Sequence, residues 1–172
     1  LPGELENSIS FIRVVPWKRS YKKGTGGDLS SSPSVDAAWY YRWSRDVGEG
    51  QALGEREYVP MSWGAGGARD EALPDYLAMD QVTHLLGFNE SDNCFDQSGQ
   101  YGDPKLCNVP TAVDFYKNLQ KVGLRLGSPA TREEEAQNKN GWLNRLMTQA
   151  EAAIIMVKVR NTQMIMIFVK KG

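Results

Sequence analysis

The sequence is poor in the residues that most often carry metal or redox chemistry. Of its 172 residues one is histidine, His84, and two are cysteine, Cys94 and Cys107. Zinc takes four ligands, and one imidazole with two thiols does not complete such a site. Charge of a single sign is also lacking, with 20 Lys and Arg against 21 Asp and Glu and a formal net charge of −1. Nucleic acid or an anionic membrane would demand a concentrated basic surface, and the only basic cluster is Lys18, Arg19, Lys22 and Lys23. No strictly apolar run exceeds six residues, as in Met164 to Val169. That is far short of the roughly 18 to 20 that cross a bilayer. The chain begins at Leu1 with no apolar signal core, as a processed chain or a fragment would.

What remains is an ordinary globular composition, 41% hydrophobic and 24% charged. Five Trp, seven Tyr and five Phe are clustered rather than spread, which suits either a core or a flat-faced ligand cleft. Residues 1–8 read as a terminal linker. Ile9 to Trp17 (ISFIRVVPW) reads as a strand ended by Pro16, either the first strand of this domain or the end of a preceding one. Turn chemistry makes Gly24 to Pro33 and Gly48 to Gly54 loops. Between them Val35 to Trp43 (VDAAWYYRW) reads as a short helix leading into a strand at Trp39 to Trp43.

From there strands alternate with helices. Arg56 to Trp63, His84 to Asn89 and Leu124 to Pro129 are predicted strands. Leu73 to Met79 is a short helix or turn, and Thr111 to Gly123 and Trp142 to Ala153 are predicted helices. Short apolar strands alternating with helices are the pattern of a parallel α/β sheet or barrel, in which function gathers at the carboxyl ends of the strands. The residues at those ends are unusual: Trp39, Tyr41 and Trp43, then Met61, Ser62 and Trp63, then Asn89 and Glu90, then Ser128 and Pro129.

The segment that carries chemistry is HLLGFNESDNC, His84 to Cys94. A carboxyl group at a strand end with an amide beside it fits glycoside hydrolysis: Glu90 to protonate the leaving oxygen, Asn89 to bond the sugar 2-hydroxyl. The indole and phenol faces of Trp39, Tyr41, Trp43 and Trp63 would stack on sugar rings. Each feature also has a plainer reading. Asn-Glu after a strand serves as a loop or cap pair, WYYRW as core, His84 as a structural or solvated residue, and Glu133 to Glu135 as a solvated helix start. The two cysteines, 13 apart in a polar loop, read as a surface disulfide of an exported protein or as two free thiols.

The ordered blocks WYYRWS, EYVPMSWG, HLLGFNESDN, YKNLQKVGLRLGSPA and GWLNRLMTQAEA resemble the catalytic domain of glycoside hydrolase family 128, the β-1,3-glucanase-type (β/α)₈ barrels, from about Phe11 to Ala153. The resemblance implies a retaining mechanism on β-1,3-glucan with no cofactor and no metal, in a secreted protein that is monomeric when complete. It implies that Glu90 is the general acid/base of an Asn-Glu-Pro-Asp motif, with Asn89 as the amide and Asp92 as the closing acid, while Ser91 stands in place of the proline. It implies a glucan cleft lined by Trp39, Tyr41, Met61, Trp43 and Trp63, and a loop Cys94 to Cys107 like that of bacterial members.

After Ala153 the resemblance ends. The family continues to a sixth strand ending in His-Trp-Tyr and a seventh that bears the nucleophilic Glu, whereas no acid follows Glu151 here. Residues 154–172 form an atypical tail, with Ile154 to Val159 and Met164 to Val169 as arms of a β-hairpin, replacing the sixth strand as a shifted frame or truncated gene model would. The expected fold is therefore a partial barrel of five to six parallel strands. The expected activity is impaired, with a non-catalytic β-glucan-binding module as the alternative.

Overall fold

The computed structural model describes residues 22, 24–27, 37–48, 55–136 and 138–154. The strand expected at Ile9 to Trp17, the linker 1–8 and the hairpin expected beyond residue 154 lie outside the described residues. The order of elements is β1 (Gly24–Gly26), β2 (Trp39–Tyr41), β3 (Glu57–Tyr58), α1 (Leu73–Leu77), β4 (His84–Leu85), α2 (Val109–Gln120), β5 (Arg125–Leu126), α3 (Glu133–Ala136) and α4 (Trp142–Ile154). All pairings are parallel: β1 with β2, β2 with β3, and β4 with β5. A parallel bridge between Met61 and Leu86 joins the two sheets. The alternation of strand and helix is thus as expected, with five strands among the described residues and no closed barrel.

Two sequence expectations are corrected. Gly24 to Gly26, assigned to a loop on glycine content, is a strand, because the missing side chains make room for the rings of Trp39 and Tyr41 that lie over Gly24 and Gly26. The strands are also much shorter than their apolar runs. Past β3 the Val59 N–H still donates to the Tyr40 carbonyl at 2.9 Å, but the Met61 N–H reaches the Ser44 carbonyl (2.9 Å) because the chain after β2 bends at the left-handed Trp43, so regular pairing with β2 ends and Met61 bridges to Leu86 on the other side. Ala37 and Ala38, expected in a short helix, are not helical.

The helices form where the sequence placed them, for local reasons. At α2 the Asn108 side chain accepts from the Thr111 N–H at 3.3 Å, and a proline sits in the first turn. Val109, Ala112, Val113, Tyr116 and Leu119 bury one face, and Gly123, at φ 75°, ends the chain's helical course. Helix α4 presents Trp142, Leu146 and Ala150 to the same core, which also takes in Leu85, Phe88 and Leu126 from the sheet side. The Trp142 indole N–H donates to the Cys107 carbonyl at 2.7 Å, tying α4 to the loop before α2.

His84 is structural. It starts β4, and its Nδ1 lies 3.1 Å from Glu57 Oε1, which also accepts from the Thr83 N–H (2.9 Å) and hydroxyl (2.6 Å). These bonds staple β3 to β4 at their amino ends, opposite the carboxyl-end rim. Burial pushes the Glu57 carboxyl up, but the Thr83 and His84 hydrogen bonds outweigh it and hold the group below its ordinary value. A depressed carboxyl adds stability above its unfolded value of about 4.5 and loses it as the pH falls through the lower folded value.

Two outcomes follow for stability. Glu57→Gln should be less stable than the parent at neutral pH by urea denaturation, with the gap closing in acid; a gap that does not change with pH removes the staple. Leu119→Ala, at a fully buried position, should cost about 2 to 5 kcal/mol. Leu77→Ala, on an exposed leucine, should cost less than about 0.5 kcal/mol in the same assay.

Candidate active site

Because the strands are parallel, the residues that follow them emerge on one rim. Two residues past β2, Trp43 takes a left-handed backbone (φ 54°) and packs edge-on against Tyr41 at 4.9 Å between centroids. That places the Trp43 indole outward, 39% exposed, while Tyr41 turns in. Tyr41, Val59, Met61 and Leu86 make a small core under the rim, flanked by Trp39 and Trp63, and burial pushes the Tyr41 phenol up. Tyr40 faces the other way onto Tyr58 at 5.1 Å. The WYYRW run is therefore both core and surface.

A cleft of about 580 Å³ opens beside this core, lined among others by Trp43, Met61, Trp63, Arg45, Arg69 and Tyr101. Three of the residues expected to line a binding site are brought together here: Trp43, Met61 and Trp63. Met61 is buried and forms floor rather than wall. Trp39, Tyr41, Asn89, Glu90 and Asp92 are not among the lining residues. Tyr101 is a wall residue that the sequence reading did not single out. It is 56% exposed and packs on Trp63 at 5.9 Å. Its signal was an aromatic within the polar stretch bracketed by the two cysteines.

Asn89 and Glu90 lie beside the cleft. The Asn89 N–H donates to the Trp63 carbonyl at 2.9 Å, which sets the end of the β4 segment against that of β3. The Asn89 side chain is buried and donates from Nδ2 to Gln97 Oε1 at 3.0 Å. Glu90 is half-buried, with a left-handed backbone at φ 46°. That conformation is costly for a residue with a side chain and collects at functional sites, at roughly 1 to 3 kcal/mol each. Ser91 is fully buried, and its hydroxyl has no hydrogen-bond partner among the described residues.

Asp92 is placed differently from a sugar contact. Its side chain is 1% exposed, and its two oxygens accept from the Arg132 main chain (3.1 Å) and Nε (2.9 Å). It ties the loop after β4 to the loop after β5. The carboxylate's hydrogen bond raises the Arg132 guanidinium further above its usual range. Cys94 and Cys107 form a disulfide, which closes the loop that carries Gln97 and Tyr101. Glu133 to Glu135 begin α3, as expected, and Glu135 accepts from the Trp142 N–H at 2.9 Å.

A family model described as the glycosyl hydrolase catalytic core matches residues 18–166, past Ala153 where the sequence blocks end. Curated proteins gave no match. A solved family 128 (subgroup I) endo-β-1,3-glucanase variant from Amycolatopsis mediterranei, in complex with laminaritriose and laminaribiose, is 31% identical over 78% of this chain, with a TM-score of 0.64. Another variant of the same enzyme, in complex with laminaripentaose, is 32% identical over 78%, with a TM-score of 0.63. This chain covers 53% of each of those chains, about half their length. A subgroup VII oligosaccharide-binding protein from Trichoderma gamsii shares the fold at 22% identity over 81% of this chain and 54% of that one, with a TM-score of 0.54. With the catalytic-core model matching most of its length and family 128 structures sharing its fold, the chain belongs to the glycosyl hydrolase catalytic-core family, as a member of glycoside hydrolase family 128.

Proposed function

We propose that the rim binds β-1,3-glucan and that Glu90 is the general acid/base of its retaining hydrolysis. The observation that carries the reading is the strained Glu90 backbone next to a buried, hydrogen-bonded Asn89, at the edge of a cleft walled by Trp43, Trp63 and Tyr101. Flat aromatic faces suit the apolar faces of pyranose rings. Glu90 would protonate the leaving glycosidic oxygen and then take a proton from water, while Asn89 holds the sugar 2-hydroxyl. Retention needs a second, nucleophilic carboxylate about 5 to 5.5 Å from the first. The family resemblance puts it on a seventh strand, and the proposed role concerns the acid/base and its cleft. The disulfide supports an exported, extracellular protein, since such bonds persist in oxidising compartments. We take the complete protein to act as a monomer.

One observation favours a second reading, a glucan-binding module without turnover. Two acids near this rim are engaged, Asp92 by Arg132 and Asp46 by Arg45, and neither stands free as a partner for Glu90.

The test is to incubate the chain with β-1,3-glucan, assay reducing ends, and repeat with Glu90→Gln and Trp63→Ala. Turnover should fall about a hundredfold or more in Glu90→Gln. Turnover that is indifferent to that substitution removes Glu90 from its role. Binding that is lost in Trp63→Ala, with no turnover in any variant, establishes the second reading.

A further inference from the structure

The Asn89 amide has two ends, and which one meets a ligand decides what that ligand must offer. Its Nδ2 is committed to Gln97 Oε1 at 3.0 Å. Its Oδ1 has no hydrogen bond among the described residues and is not one of the fully buried unpartnered atoms, so it keeps some accessible surface within a mostly buried side chain. Gln97 is itself held at its other end, where Nε2 faces Asp96 Oδ2 at 3.4 Å. A carboxylate only accepts, so Gln97 must turn its NH₂ towards Asp96 and its carbonyl towards Asn89. Asn89 in turn must answer with its NH₂. Direction therefore runs along the chain Asp96, Gln97, Asn89, and the last free group is a carbonyl oxygen.

The backbone around Gln97 is built to hold this. Gln97 is left-handed at φ 50°, a conformation that glycine adopts far more readily. It is pinned by its own N–H donating to Asp96 Oδ1 at 2.7 Å and by the Ser98 N–H donating to the Asn89 carbonyl at 3.2 Å. Gln100 Nε2 donates to the Gln97 carbonyl at 3.2 Å. The 3₁₀ turn Gln97–Gln100 thus folds back on the end of β4 and brings one particular side chain onto Asn89.

We propose that Gln97 is a positioning residue: oriented by Asp96, it locks the Asn89 amide so that Oδ1 is presented as an acceptor to a hydroxyl of the bound sugar. The inference rests on the reading of this rim as a glucan site and deepens it, since the sugar hydroxyl must then be the donor.

Two readouts on the full chain separate the two claims. The Asn89 side-chain amide is followed by NMR, and the affinity for a β-1,3-linked glucose pentasaccharide by titration. Gln97→Met, which fills the space without an acceptor, should shift the Asn89 amide resonance, leave the melting temperature in place, and weaken binding about fivefold. Gln97→Glu, which keeps an acceptor, should retain most of the affinity. In an Asn89→Ala background Gln97→Met should add nothing. Asp96→Asn, away from the contact itself, should broaden or split the Asn89 resonance by freeing the glutamine to turn over. An unmoved Asn89 resonance in both Gln97→Met and Asp96→Asn overturns the proposal, as do losses that simply add in the double variant. A resonance that moves in a protein that binds no pentasaccharide upholds the lock and overturns the glucan reading.

Discussion

Main-chain hydrogen bonds between the extended segments that follow β3 and β4 hold the rest of the structure in place. Leu86 N–H donates to the Pro60 carbonyl at 2.9 Å, Ser62 N–H to Leu86 at 3.0 Å, and Asn89 N–H to Trp63 at 2.9 Å. These bonds and the Met61–Leu86 bridge turn two small sheets into one parallel course. They set Trp63 against Asn89, the wall of the cleft against the residue before the proposed acid. A slip of one residue in this register would turn each side chain to the opposite face and send Trp63 and Met61 out of the small core.

Around that junction the backbone is under strain. Trp43, Glu90 and Gln97 are left-handed non-glycine residues on the strand-end rim, each costing roughly 1 to 3 kcal/mol. Such conformations last only where the surroundings over-determine them. Here the surroundings are the ion pair of Asp92 with Arg132, the Cys94–Cys107 disulfide, the Trp142 indole on the Cys107 carbonyl, and the core between α2 and α4. The helical layer stabilises, and the rim spends part of that stability on holding Glu90 and Asn89 in place.

The helices were legible because their signals are local. Apolar residues three and four apart and a terminal glycine act within one element, and α2 and α4 appear where the periodicity put them, α2 starting two residues earlier than read, at the Asn108 cap. Strands were legible in position but not in length, since pairing depends on a neighbour and the chain after β2 bends away at Trp43. Gly24 to Gly26 was misread because glycine marks turns by its freedom, whereas here it makes room for the rings of Trp39 and Tyr41. Gln97 and Tyr101 lay in a stretch that composition could describe only as a polar loop.

The sequence by itself determined the chemistry available at the strand ends: an amide followed by an acid, several indoles, and alternation that forces parallel strands to share one rim. Only the tertiary structure decided which of those groups face out. Tyr41 and Met61 sink into the core while Trp43 and Tyr101 stand at the cleft, because that choice turns on neighbours from other strands. Asp92 becomes a tie rather than an open acid because Arg132, 40 residues away, reaches it. The orientation of the Asn89 amide depends in the same way on Gln97, eight residues on and folded back by a single turn. Such pairings are set by approach in space, which residue order specifies only through the whole fold.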